Sequence, residues 1–244
     1  MSKEKLQIKR RSMFGEVMVR FLRKPIAVFG AVIMIVVVAL CLLAPVIAPY
    51  DIDAQDITRK FTEPSQEFIC GTDNLGRDIF SRLLYGGRIS LMVGFVSASI
   101  AAILGVILGA IAAFYGKRTD NIIMRILDVF MALPQMLLAI AISAMIGTSI
   151  KGAIIAVTVA TIPRYAQAVR GPILSIRNQE FVEAAFAIDA KDSRIVLRHI
   201  LPNVLSPIIV QVTMGVGNAI TMAASLSFIG LGVQPPYPEW GAML

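Results

Sequence analysis

The sequence is poor in charge and in the residues that build reactive centres. Only 16% of its 244 residues are charged, it has one histidine and two cysteines, and 57% of it is hydrophobic. A soluble domain carries roughly a quarter charged residues. One histidine, His199, leaves a histidine-based zinc site or a Ser-His-Asp hydrolase without partners, and no serine motif accompanies it. Cys41 lies in an apolar run and Cys70 in a polar stretch, so the pair forms neither a disulfide framework nor a metal cluster. There is no phosphate-binding loop: after Gly116-Lys117 comes Arg118, and Gly109 is too far upstream for G-x-x-x-x-G-K-[ST]. Acidic residues are nearly missing from the apolar runs, where Asp128 is the one candidate. A proton-coupled transporter needs an ionisable group at depth, so their scarcity points to energy supplied by another subunit.

What is present is long apolar runs and a mean hydropathy of +0.75. Runs of about 20 apolar residues cross a hydrocarbon core of about 30 Å. The fold class expected is an all-α, polytopic integral membrane protein. The net charge of +7 raises nucleic acid as a partner, but the basic residues cluster in loops as the positive-inside rule requires, so the lipid bilayer is the partner read here and nucleic acid is not.

The first 24 residues carry Lys3, Lys5, Lys9, Arg10, Arg11, Arg20, Arg23 and Lys24, which places the N-terminus in the cytoplasm. Phe14, Val17, Met18, Phe21 and Leu22 recur at helical spacing. Two readings stand: a surface amphipathic helix or a retention signal for the first span. That span is expected over 26–48, too long for a signal peptide's apolar region. Residues 50–88 form an outside loop containing Gly71, Thr72, Asp73, Gly76, Arg77 and Asp78. The glycines with Asp and Asn between them read as tight turns, and Asp78 as the N-cap of a short interfacial helix. Cation binding by Asp73 and Asp78 is the competing reading; no metal site is otherwise expected.

Further spans are expected over 90–115, 126–146, 152–165 and 207–230. Gly105 and Gly109 form a G-x-x-x-G that lets another helix approach closely. Arg125 and Asp128, three apart, are spaced so that they can pair near the inner end of the third span, and Pro134 is expected to kink that span or delay its start. Gln211, Met214, Asn218, Thr221 and Ser225 alternate at spacings of three and four along the fifth span, so they share a face. That stripe faces the bundle interior or a water-filled path, or serves helix–helix hydrogen bonds alone. Tyr237 and Trp240 suit an interface.

Between the last two spans lies a polar island, with FVEAAFAIDAKDSRIVLRHILPN at its centre. The loop occupies about 164–203, and its arginines and lysine place it in the cytoplasm. Residues 181–188 are helix-prone and alanine-rich. Ala184, Ala185 and Ala187 permit close approach by a partner, and Glu183 supplies a charge for it. Residues 189–193 break the helix, a second piece runs over 194–201, and Pro202 stops it. Such a platform would pass a push into the bundle; the alternative is a plain connector.

Glu183-Ala184-Ala185, followed by Leu201-Pro202, resembles the EAA loop of permeases in binding-protein-dependent ABC importers. The pattern has glycine where this chain has Asp189, a residue that tolerates left-handed backbone better than most. GTDNLGRDIFSRLLYGGR, the segment around Arg125, Asp128 and Pro134, and SLSFIGLGVQPPYPEWGAML extend the resemblance to nearly the whole chain. They are similar to the C-type permease of the dipeptide/oligopeptide/nickel family. The resemblance implies a type I importer bundle with residues 1–88 leading into a permease core over 89–244. It implies six spans, so the five read here predict a C-terminally truncated chain. It also implies a second permease, two ATPase subunits holding ATP and magnesium, and an extracytoplasmic binding protein in a cytoplasmic-membrane assembly. This chain would carry no cofactor and no catalytic residue. Peptide is the substrate implied, with nickel or another small solute as the alternative. An ATP-independent transporter or channel, or a scaffold or receptor, is a rival class.

Overall fold

The computed structural model describes residues 13–244, with side chains from Met18 onward. The cluster Lys3, Lys5, Lys9, Arg10 and Arg11 lies outside the described residues. The regular structure of the described chain is helical, apart from one isolated antiparallel bridge between Thr72 and Asp78; most of 48–78 and all of 229–244 are turns and loop. A short helix, α1 (Met13–Leu22), occupies the stretch with helical apolar spacing. Pro25 then opens α2 (Pro25–Leu42), where its fixed φ suits a first turn and its missing N–H costs nothing. A single turn, α3 (Ala44–Ile47), follows with Pro45 in its first turn.

Asp78 caps α4 (Ile79–Tyr115): its Oδ2 accepts from the Ser81 backbone N–H at 2.7 Å and from the Ser81 hydroxyl at 2.6 Å. The expected interfacial helix and second span are therefore one element. Its 37 residues reach about 55 Å at 1.5 Å per residue, well beyond the hydrocarbon core. Gly116, at φ +62°, ends it.

Next come α5 (Lys117–Met131) and α6 (Gln135–Ile146), which meet at Pro134 with a bend of 85°. The third span is thus broken, as proline predicts, and α6 alone is too short to cross a bilayer. α7 (Ile150–Arg177) begins at Ser149, whose hydroxyl accepts from the Gly152 N–H at 2.9 Å, and runs on through Pro163 and Pro172. The fourth span therefore continues past residue 165, into the island. α10 (Leu205–Phe228) closes the bundle. Four helices, one of them α10 with the residues from Asp192 leading into it, are long and apolar enough to span a membrane, or five spans if the bent pair counts as one.

The core forms where α4, α6, α7 and α10 converge. Val93 and Ala98 of α4, Ala139 of α6, Ala153, Ala156 and Val157 of α7, and Ala219, Ala223 and Leu226 of α10 are all buried there. Small residues dominate because lipid supplies no hydrophobic drive between helices, and close backbone approach must. Hydrogen bonds add to it: Gln135 Nε2 of α6 donates to Thr161 Oγ1 of α7 at 3.1 Å, and Ser143 Oγ of α6 to the Leu231 carbonyl, in the turn after α10, at 2.5 Å.

Candidate functional site

The island folds into a platform backed by the core. α8 (Glu180–Ala187) turns Val182 and Ala185 inward, against Ile173 of α7 and against Ile195, Ile200 and Val204 further along. Phe186 stacks on Phe114 at the end of α4, with ring centroids 5.9 Å apart. Phe181, Glu183, Ala184, Ala187 and Ile188 are exposed. Ala185 was expected to face a partner; at 5% exposure it packs inside this chain and positions α8. A helix with 3.6 residues per turn cannot present successive alanines to the same face.

Asp189 ends α8 with φ +54°. The Ala190 N–H reaches the Ala185 carbonyl at 3.2 Å, and the Asp189 N–H the Phe186 carbonyl at 3.0 Å. This is a Schellman closure, with Asp189 in the left-handed position that glycine fills most easily. Asp189→Gly is expected to keep the turn and to raise stability by up to about 1 kcal/mol, whereas Asp189→Val should cost about 1–2 kcal/mol. Thermal unfolding of the purified complex measures both; equal midpoints for the two variants would contradict the account.

Beyond the turn, α9 (Asp192–Arg194) passes into a π-helical stretch, Ile195–Ile200, and a 3₁₀ turn, Leu201–Val204, before α10. Pro202 therefore does not stop the helix, contrary to the sequence expectation. Proline withholds one N–H, and the wide π turn followed by a tight 3₁₀ turn re-pairs the neighbouring carbonyls. Asn203 Nδ2 contributes by donating to the His199 carbonyl at 2.6 Å. Leu201 and Pro202 thus carry the platform into α10 without a break.

The platform is also tied to α5, by a pair the sequence reading missed. The Arg170 guanidinium of α7 makes a bidentate contact with Asp120, Nε to Oδ1 at 2.6 Å and Nη2 to Oδ2 at 2.5 Å. No ion pair between Arg125 and Asp128 forms among the described residues; both side chains are exposed. The fork of Arg170 matches a carboxylate better than an exposed pair three residues apart on one helix.

Along α10, the seam Gly215, Ala219, Ala223 and Leu226 is buried. Met214, Asn218 and Thr221 are exposed, and Gln211 and Ser225 half-buried. The polar stripe therefore faces away from this chain's own bundle, not into it. Its hydroxyls bond within the helix, Thr221 Oγ1 to the Gly217 carbonyl at 3.0 Å and Ser225 Oγ to the Thr221 carbonyl at 2.9 Å. The Asn218 amide makes no hydrogen bond among the described residues. The open face is a polar track awaiting a surface opposite.

At the other end of α4, the motif 71–78 is a turn held together by its own carboxylate. Asp73 Oδ1 accepts from the Leu75 and Arg77 N–H groups at 2.8 and 3.0 Å, and Oδ2 from Arg77 Nε at 2.7 Å. Burial acts to raise the Asp73 pKa, but these donors outweigh it and hold the carboxyl below the usual range. Gly71 and Gly76 sit at φ +74° and +72°; a Cβ on Gly76 would meet the Asp56 carbonyl oxygen at 1.8 Å. Thr72 Oγ1 accepts from the Thr62 N–H at 2.9 Å, tying the motif to the strand of loop before it. Among the described residues no group of three or more His, Cys, Asp or Glu side chains is placed to hold a metal.

Glu239 was also missed. It is 1% exposed, with Oε1 accepting from Ser90 Oγ at 2.8 Å and Oε2 from the Gly241 and Ala242 N–H groups at 2.9 and 3.0 Å. Trp240 Nε1 donates to the Leu83 carbonyl at 3.0 Å. This clasp fastens residues 239–242 to α4. The sequence gives no hint that this acid is internal, since it stands among prolines and polar residues.

Comparison with known proteins agrees with this geometry. Residues 105–244 match the family model of the binding-protein-dependent transport system inner membrane component. Residues 12–64 match the N-terminal transmembrane domain of oligopeptide transport permease C. The chain is 44% identical to the dipeptide transport system permease protein DppC of Alkalihalophilus pseudofirmus over 91% of its own length and 73% of the relative's. It is 46% identical to the glutathione transport system permease protein GsiD of Escherichia coli, covering 92% of this chain and 75% of that one. Its fold is like a chain of the MetNI methionine ABC transporter in an inward-facing conformation, with TM-score 0.56 and 22% identity over 62% of this chain and 76% of that one. A helical bundle with a core-backed platform, matched by two family models and by relatives over most of its length, is a member of the binding-protein-dependent ABC transporter permease family, in its oligopeptide permease C branch.

Proposed function

We propose that this chain forms half of the path of an ATP-driven importer of di- and oligopeptides, beside a second permease, and takes its energy from two ATPase subunits docked on the exposed face of α8. One observation carries the reading. The platform presents Glu183, Ala184 and Ile188 outward, Val182 and Ala185 lock it to the core, and after the tight turn at Asp189 continuous helix runs from Asp192 into α10. The ends of α7 and α10 flank it, so a displacement of the platform moves both helices rather than being absorbed by a slack loop. The contact residues are Glu183 and Ala184, with Ala185, Asp189, Leu201 and Pro202 holding their geometry. The path is lined by Gln211, Met214, Asn218, Thr221 and Ser225, whose mixed polarity suits peptide amides better than a single ion.

In this arrangement the N-terminus and platform are cytoplasmic, and the 50–78 loop faces the extracytoplasmic binding protein. ATP and magnesium bind in the ATPase subunits. Peptides are favoured by the dipeptide and glutathione permeases that the chain resembles. The test is reconstitution of both permeases and the ATPases in vesicles, with loaded binding protein. Uptake of labelled dipeptide is expected to require ATP and the binding protein together. Uptake of nickel in place of peptide, or uptake by the permeases alone along an ion gradient, would overturn the proposal.

A further inference from the structure

α2 is the least embedded of the long helices: only 6% of its apolar stretch is buried inside the chain. It touches α4 near its C-terminal end, where Cys41 is buried, as is Ala44 of α3 just beyond. A Cβ on Gly87 would lie 2.3 Å from Cys41 Sγ and 2.7 Å from the Trp240 ring. From that contact the two helices part and leave a groove of about 670 Å³, lined by Met34, Val38 and Leu42 of α2, Met92 and Phe95 of α4, and Arg88. We propose that this groove holds one acyl chain of an acidic phospholipid, whose phosphate pairs with Arg88.

Three observations select that occupant. First, the walls are aliphatic and aromatic, with no glycine, alanine or serine among the lining residues. Helices meet in membranes through small residues; beyond Gly87, which meets Cys41, the glycines of α4 turn elsewhere, Gly94 to Ile220 of α10 and Gly105 and Gly109 to Tyr165 and Ala166 of α7. A flexible chain conforms to such bulky walls more readily than a rigid helix does. Second, Arg88 is the one charged residue in the groove and stands at its end. Its guanidinium lies over the Tyr85 ring, 5.9 Å from the centroid, and makes no ion pair with a carboxylate among the described residues. An exposed guanidinium there is a ready partner for a phosphate oxygen.

Third, depth is right. Tyr85 and Trp240, residues that mark the headgroup level, flank Arg88 in sequence or lie against Gly87. From Arg88 the groove runs to Phe95, and from Leu42 to Met34. Both are about 10–12 Å along a helix axis at 1.5 Å per residue. The groove thus leads from headgroup level into hydrocarbon along the lie of an acyl chain. The inference rests on the membrane-spanning fold and not on which solute is carried.

The test uses the assembled transporter, purified, washed in detergent and analysed for retained lipid by mass spectrometry. Phosphatidylglycerol is expected to stay with the unaltered protein in preference to phosphatidylethanolamine. Arg88→Gln should lower its retention about tenfold, as for the loss of a charge-assisted hydrogen bond. Arg88 is exposed, so size exclusion should show the variant complex intact. A photo-crosslinking residue at Met92 should label lipid. Equal phosphatidylglycerol in both proteins, equal retention of the two lipids, or crosslinks from position 92 to another subunit would each overturn the assignment.

Discussion

Glu183→Lys is expected to abolish coupling while leaving the protein in the membrane. Glu183 is exposed on the first turn of α8, and its side chain makes no hydrogen bond or ion pair among the described residues. Its internal worth is the favourable placement of an acid near a helix N-terminus, about 0.3–1 kcal/mol. That is too little to unfold a bundle. Across a docked interface, reversing a charge leaves two like charges desolvated together, which costs several kcal/mol. Stimulation of ATP hydrolysis by loaded binding protein, and peptide uptake, should therefore fall by tenfold or more, on the order expected from that cost. Glu180→Lys separates the two effects, because Glu180 shares the helix end and the exposure. If Glu180→Lys uncouples as fully, the helix end rather than a specific contact is responsible. If Glu183→Lys leaves stimulation unchanged, α8 is not the docking element.

Much of this architecture could be read from local chemistry. Apolar runs gave the spans, Asp78 announced the cap of α4, Pro134 announced the break, and Gly105 and Gly109 announced a close helix contact. The island stood out because seven charged or titratable residues interrupt a greasy chain. What stayed hidden depends on residues distant in sequence. Asp120 meets Arg170 fifty positions away, and no spacing rule reveals it; the nearer Arg125 and Asp128 looked like the pair. Glu239 becomes internal only because Ser90 and the backbone of residues 241 and 242 surround it. Pro202 misled for a different reason. A proline's rule is local, but the π and 3₁₀ turns on either side absorbed its defect, since the packing of Ile195, Ile200 and Val204 holds the segment helical. The polar stripe of α10 was assigned to one face correctly, while the sequence could not say what lies opposite. The buried seam of Gly215, Ala219 and Ala223 decided that it turns outward.

Gly109→Val is expected to have the largest effect on stability. A Cβ at Gly109 would lie 2.4 Å from the Ala166 carbonyl oxygen and 3.1 Å from its carbonyl carbon. Those are backbone atoms of α7, so no rotamer change relieves the clash and the two helices must separate. Gly105 meets the same neighbour one turn earlier, 2.4 Å from Tyr165 Cβ and 2.9 Å from the Ile162 carbonyl oxygen. Forcing volume into a packed contact costs about 1–3 kcal/mol, and here the contact also seats α10, since a Cβ on Gly215 would fall 1.9 Å from the Tyr165 hydroxyl oxygen. Moving α7 therefore disturbs two interfaces at once. The unfolding midpoint, followed by loss of the monodisperse size-exclusion peak on heating, should drop by several degrees, roughly 2–4 °C for each kcal/mol at this chain length. Gly30→Val is the matched control: no atom lies within 4 Å of its added Cβ, and it sits on the exposed side of α2. The same change there should leave the midpoint within about a degree, because exposed substitutions stay within about 0.5 kcal/mol. Equal losses at positions 30 and 109 would mean that valine harms any span alike, and that the approach of α4 to α7 at Gly109 is not what holds the bundle together.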